Sequence, residues 1–80
     1  MIRIDTPSDL GAALRKARKA LSLTQPQLAL AAGVGVRFVV ELEAGKPGVR
    51  FEKLLRVVNV LGGKLFVEGM PPDPPRERGA

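Results

Sequence analysis

A mainly α fold, a bundle of four to five short helices with a short C-terminal β-strand, is what these 80 residues predict. Three observations carry the prediction. Apolar residues recur every three to four positions through most of residues 10–61, the spacing of one helical face. Those stretches are punctuated by capping residues before them and glycines after them. The last apolar run, "KLFVE", is too short for a helix and alternates as a strand does. Residues 1–68 form one domain on this reading, and residues 69–80 a proline-rich tail. So short a chain has a small core, and a homodimer is expected to supply what the core lacks.

The elements follow in chain order. "MIRI" alternates and reads as an edge strand or a frayed end. Thr6-Pro7-Ser8-Asp9 starts helix 1, with Thr6 as N-cap, Pro7 where its missing N–H costs nothing, and Asp9 three residues after the cap. Leu10, Ala13, Leu14, Ala17 and Leu21 make its apolar stripe, and Arg15, Lys16, Arg18 and Lys19 its solvated face. Thr24 and Gln27 form a capping box for helix 2, flanked by Leu23 and Leu28 as a hydrophobic staple, with Pro26 in the first turn. Leu28, Ala29 and Ala32 point inward, and Gly33 ends the helix as a left-handed C-cap. Val34 lies between the helices; helix 3 then runs from Val36 to Glu43, with Val39 and Leu42 inward and Gly45 as its stop.

Lys46-Pro47-Gly48 is a turn into helix 4, whose predicted stripe is Phe51, Leu54, Leu55, Val58 and Leu61, with Gly62 as its stop. Val57 and Val60 fall outside that stripe, so helix 4 is expected to pack on a second subunit as well as on its own core. A lone strand over 64–68 is unstable, so it needs "MIRI" or its symmetry mate as partner. "GMPPDPPRERGA" has prolines at 71, 72, 74 and 75 and is expected to be extended and disordered.

Composition excludes several functions. With no cysteine and no histidine, the chain lacks thiolate and imidazole nucleophiles, the usual zinc ligands and the commonest general base, so catalysis and a cofactor are not expected. No apolar run approaches the roughly 20 residues of a membrane span, and a cytoplasmic protein follows by default. The net charge is +5, and eleven of the 13 Lys/Arg against six of the eight Asp/Glu precede residue 69. A basic folded part fits either an acidic partner such as nucleic acid or simply a soluble basic surface.

Helix 3 decides between them. Two helices joined at about a right angle by a three- to four-residue turn containing glycine make a helix-turn-helix, whose second helix enters the DNA major groove. Ala29 is small where the pair crosses, Gly33 takes the turn, and Val39 fills the gap. A tight helix pair without a DNA role would use Gly and Ala in the same way. Yet helix 3 places Val36, Arg37, Val40 and Glu41 on what should be its wet side.

"LTQPQLALAAGVGVRFVVELEAGKP" resembles the helix-turn-helix of the lambda-repressor-like, or XRE, family, through Thr24-Gln25, Leu28-Ala29, Gly33-Val34, and Glu43 with Gly45. "VVELEAGKPGVRFEKLLRVVNVLGGKLFV" is similar, more narrowly, to antitoxins of the HipB and Y4mF type, and the likeness spans about residues 8 to 68. The resemblance implies a bacterial, nucleoid-associated homodimer that binds a palindromic operator, represses its own operon and neutralises a toxin encoded beside it, such as a HipA-like kinase; a stand-alone repressor of the same family without a toxin, or a protein-interaction module that has lost DNA binding, is the alternative. It makes Gln25 a contact to phosphate, with a base also within reach, at the start of helix 2. Val36, Arg37 and Glu41 fall on the groove face, Gly35 and Phe38 lie near the DNA backbone, and Lys46 touches phosphate. Arg37 suits a guanine O6/N7 pair and Val36 a thymine methyl, while Glu41 either accepts from a cytosine amino group or pairs with Arg37. Glu43 is structural on this reading. Val36 and Val40 stand where relatives often carry polar or basic residues.

Overall fold

The four helices are α1 Pro7–Ala20, α2 Gln25–Ala32, α3 Val36–Glu43 and α4 Phe51–Val60, in a computed structural model that describes residues 1–72. Two of the starts are capping boxes. Thr6 Oγ1 accepts from the Asp9 amide at 3.1 Å while Asp9 Oδ2 accepts from the Thr6 amide at 3.2 Å. Thr24 Oγ1 accepts from the Gln27 amide at 3.1 Å, and Gln27 Oε1 from the Thr24 amide at 2.8 Å. Each exchange satisfies amides that the first helical turn leaves without partners.

The helix ends share one solution. After α1, α3 and α4 the chain turns through a positive φ at Ser22, Gly45 and Gly62, and paired amides return to the last helical carbonyls. For α3 these are Gly45 N–H to the Leu42 carbonyl at 3.1 Å and Lys46 N–H to the Glu41 carbonyl at 3.0 Å, the Schellman arrangement. Gly33 closes α2 at φ 70° as predicted. Helix α3 has no side-chain cap at its start, where Gly35 stands. Three of its eight residues are valine, which has a modest helix propensity, so its stability comes from packing.

That packing centres on Leu14, Leu28, Ala29, Ala32, Val39, Leu42, Leu54, Val57 and Val58, of which Leu28, Val39 and Val57 are fully buried. Helix α3 lies against both α1 and α2, and α4 against α2. Gly11 permits the α1–α3 contact: a Cβ there would lie 2.6 Å from the carbonyl oxygens of Leu42 and Glu43. No described helix is long and apolar enough to cross a membrane.

Three expectations are corrected. The inward stripe of α4 is Leu54, Val57, Val58 and Leu61, so Val57 is the centre of the chain's own core rather than part of a second face. Val60 also packs on that core. Phe51, at the first residue of α4 where neighbours run out, is 62% exposed, and Leu55, also expected inward, is exposed as well. In α1 the innermost line is Gly11, Leu14 and Arg18; Leu21 stays half outside, and Arg18, predicted on the solvated face, is buried because it has an acidic partner on α3. Finally, among the described residues neither "MIRI" nor residues 64–68 forms a strand. A ladder needs two strands, and within one chain these segments do not pair; Phe66 and Val67 are exposed. Most of the predicted tail, residues 73–80, lies outside the described residues.

Candidate nucleic-acid interface

Helix α3 is turned by two residues. Val39 and Leu42 are drawn into the core, which swings Val36, Arg37 and Val40 outward on the opposite side. Val36 and Val40 remain 46% and 43% exposed, and the Arg37 side chain is almost wholly in solvent. Glu41 stands at the edge of this face between two cations: its Oε2 is 3.4 Å from Arg37 Nε and 3.2 Å from Lys46 Nζ. The hydrogen bond from Lys46 is the largest influence on the Glu41 carboxyl; together with the charges of both cations and a bond from Arg37 it outweighs desolvation and holds the group below its usual range. Of the two readings of Glu41, the pair with Arg37 is the one present in the chain by itself, and it engages Nε rather than the terminal nitrogens of Arg37.

Gln25 opens α2 beside the C-terminal end of α3. Its Nε2 donates to Glu43 Oε1 at 3.1 Å. Glu43 is the hub of a buried network: Arg18 donates from Nε to Glu43 Oε2 at 2.7 Å and from Nη2 to Oε1 at 3.0 Å. Arg18 Nη1 completes it with the Leu23 carbonyl at 2.8 Å. The Glu43 carboxylate therefore ties α1 and the start of α2 to the end of α3, and Arg18 adds the α1–α2 turn. Burial pushes the Glu43 carboxyl up, but the bonds from Arg18 and Gln25, with the charges of Arg18 and Arg15, bring it below its usual range. The Arg18 guanidinium is raised, first by its hydrogen bond to Glu43, against desolvation. Among the described residues no buried side-chain nitrogen or oxygen lacks a partner. Glu43 accordingly has the structural place expected of it.

Arg15, Arg18, Gln25, Val40, Glu43 and Ala44 line a shallow cleft of about 340 Å³ between α1, α2 and α3. Arg15 is an exposed cation on the rim of this cleft. Its position next to Gln25 was not visible in the sequence, because it depends on Arg18, one turn later, facing Glu43. Gln25 shares this cleft with Val40, Val36 stands one turn before Val40 on α3, and Arg37, Glu41 and Lys46 are joined by ion pairs on and just beyond the same helix. Gly35 sits exposed just before that helix, with open space where a Cβ would be. Phe38 stands apart: it is half-buried against the core and carries Lys53 Nζ 5.8 Å from its ring centroid, on the flank of α3 that faces α4. The face can thus offer one guanidinium, one clamped carboxylate, two short apolar side chains and an amide, edged by Arg15 and Lys46. Such a set suits a polyanion whose surface also carries hydrogen-bonding edges.

Comparison with known proteins places this geometry. The helix-turn-helix family (HTH_3) matches residues 14–66. The HTH-type transcriptional regulator y4mF of Sinorhizobium fredii is 53% identical over 60 residues, 75% of this chain and 79% of that protein. Two crystal structures of the clp gene regulator ClgR from Corynebacterium glutamicum are similar at 38% and 37% identity, with TM-scores of 0.64 and 0.67. They cover 71% and 74% of this chain, which spans 61% and 76% of theirs. A chain of the HipA-HipB-O2-O3 complex superposes with a TM-score of 0.79 over 89% of this chain and 100% of its own, at 17% identity, a likeness of fold.

Proposed function

The chain belongs to the helix-turn-helix family (HTH_3), and on that premise we propose that it is a sequence-specific transcriptional repressor that binds a palindromic operator as a homodimer. One observation carries the reading: α3 spends Val39 and Leu42 on the fold and presents Val36, Arg37, Val40 and Glu41, flanked by Gln25 and Lys46, to solvent. A recognition helix in the major groove needs such a division. Two copies would set their α3 helices about 34 Å apart, one turn of the duplex. A gel shift against the region upstream of the chain's own gene tests the whole reading, and binding no tighter than to random DNA would overturn it.

The contacts divide by what they read. Arg37→Ala is expected to weaken cognate binding by roughly 1–3 kcal/mol and random-sequence binding far less, since its free terminal nitrogens suit a guanine. Equal losses on both would remove it from the base-reading set. Lys46→Ala is expected to weaken all DNA alike and make the salt slope shallower by about one unit. An unchanged slope would exclude a phosphate contact.

We further propose that the protein is an antitoxin that neutralises a toxin encoded beside it. The reading rests on the sequence likeness to the HipB and Y4mF type and on an apolar arm, Leu65, Phe66, Val67 and Met70, left largely exposed in the single chain. Pairing of that arm with its symmetry mate would cover it and supply the missing strand partner. The same likeness to ClgR, a clp gene regulator, favours instead a repressor with no toxin. The neighbouring gene, and its product's co-purification with this chain, separate the two. Deleting residues 64–80 should dissociate the dimer while the monomer stays helical, because every buried core residue precedes residue 59. A truncated chain that still sediments as a dimer would place the interface elsewhere.

A further inference from the structure

We propose that each operator half-site carries two neighbouring thymines, recognised by their 5-methyl groups through Val36 and Val40. The inference rests on the DNA-binding reading above and specifies its ligand. The two valines stand four residues apart on one side of α3, which puts their Cβ atoms about 5–6 Å from each other. Both are close to half exposed, although the same helix buries Val39 and Leu42 completely or nearly so. They form an apolar island in an otherwise polar surface, bordered by Arg37, Glu41 and, across the cleft beside Val40, Gln25 and Arg15.

In the major groove of unmodified DNA the one apolar group on a base edge is the thymine methyl. A valine can neither donate nor accept a hydrogen bond, so at these two positions a base is told from the others by that methyl alone. Valine also suits the task mechanically. Its χ1 is stiff, and a side chain already held in one rotamer loses little freedom on contact. Arg37 lies between the two in sequence, and its Nε is occupied by Glu41. Its terminal nitrogens are left for a guanine, so the half-site combines a guanine with the thymines.

The experiment starts from random-sequence duplexes selected for binding to the full chain. The selected duplex is then resynthesised with deoxyuridine in place of thymidine, which deletes the methyls and leaves every hydrogen-bonding group. Affinity should fall about fourfold per contacted methyl and roughly 15-fold for both. Val36→Ala combined with Val40→Ala should bind the two duplexes alike, with an unchanged far-ultraviolet circular dichroism spectrum, since neither side chain belongs to the core. A pool that never enriches would overturn the DNA-binding reading itself. An enriched duplex bound equally well with thymine or uracil would overturn the methyl contacts alone, and would assign the valines to a protein partner instead.

Discussion

Arg18→Ala is expected to cost the protein about 3–5 kcal/mol, because it leaves the Glu43 carboxylate with the Gln25 amide but without its bidentate cationic partner, in a place water reaches poorly. The Glu43 side chain is only 3% exposed and the Arg18 side chain 9%, so solvent replaces little of what is lost. Against a total stability of roughly 5–15 kcal/mol for ordinary domains, the change should remove a large part of the stability of a chain of this size. Urea denaturation measures it. Arg18→Met together with Glu43→Leu should recover most of the loss, since a buried ion pair offers little over apolar side chains of similar volume. A loss under about 1 kcal/mol for the single variant would put the pair in the class of surface salt bridges.

The same pair sets an acid limb. Glu43 titrates lower in the folded chain than its ordinary value of 4.5, so the folded state holds fewer protons than the unfolded one between the two values. Its contribution is therefore complete above pH 4.5 and is lost as pH falls through the folded value. The Met/Leu double variant should lack this part of the acid sensitivity.

Gly11→Ala is the second large effect. An alanine is worth about 1 kcal/mol over glycine in a helix interior, so propensity alone predicts stabilisation. The Cβ, however, would press at 2.6 Å on two backbone carbonyl oxygens of α3, and a backbone cannot swing aside as a side-chain tip can. Overpacking typically costs about 1–3 kcal/mol and sometimes more, and contact with main chain sets this case at or above the upper end. The sign of the change in urea midpoint decides: a stabilised variant would mean that α1 and α3 separate easily.

Local chemistry was legible in the sequence and long-range pairing was not. The starts of α1 and α2, the glycine stops at Gly33, Gly45 and Gly62, and the inward Val39 and Leu42 follow from caps and spacing within one turn of chain. Arg18 and Gly11 could not be placed that way, because their partners lie on α3, more than twenty residues away. By spacing alone Arg18 is one more cation in a basic run; only the fold sets Glu43 opposite it. Spacing misplaces Val57 for a different reason. With Leu54, Leu55, Val57, Val58, Val60 and Leu61 all apolar, several stripes fit α4 equally, and only α2 selects among them. The face of α3 was readable because it is the complement of two core residues. Arg15 was not, since its nearness to Gln25 depends on the α1–α3 crossing.

The division of labour along α3 also bears on how such a protein changes over generations. Substitutions at solvent-facing positions usually alter stability by less than about 0.5 kcal/mol, and here the outward positions 36, 37, 40 and 41 are separate from the inward positions 39 and 42. Four codons can therefore be rewritten as a cassette while the interior is inherited intact. A duplicated gene could acquire a new target without passing through an unstable ancestor, and two paralogues in one cell could diverge until neither competes for the other's sites. The same separation offers a route to redirect the protein by design, with the buried scaffold untouched.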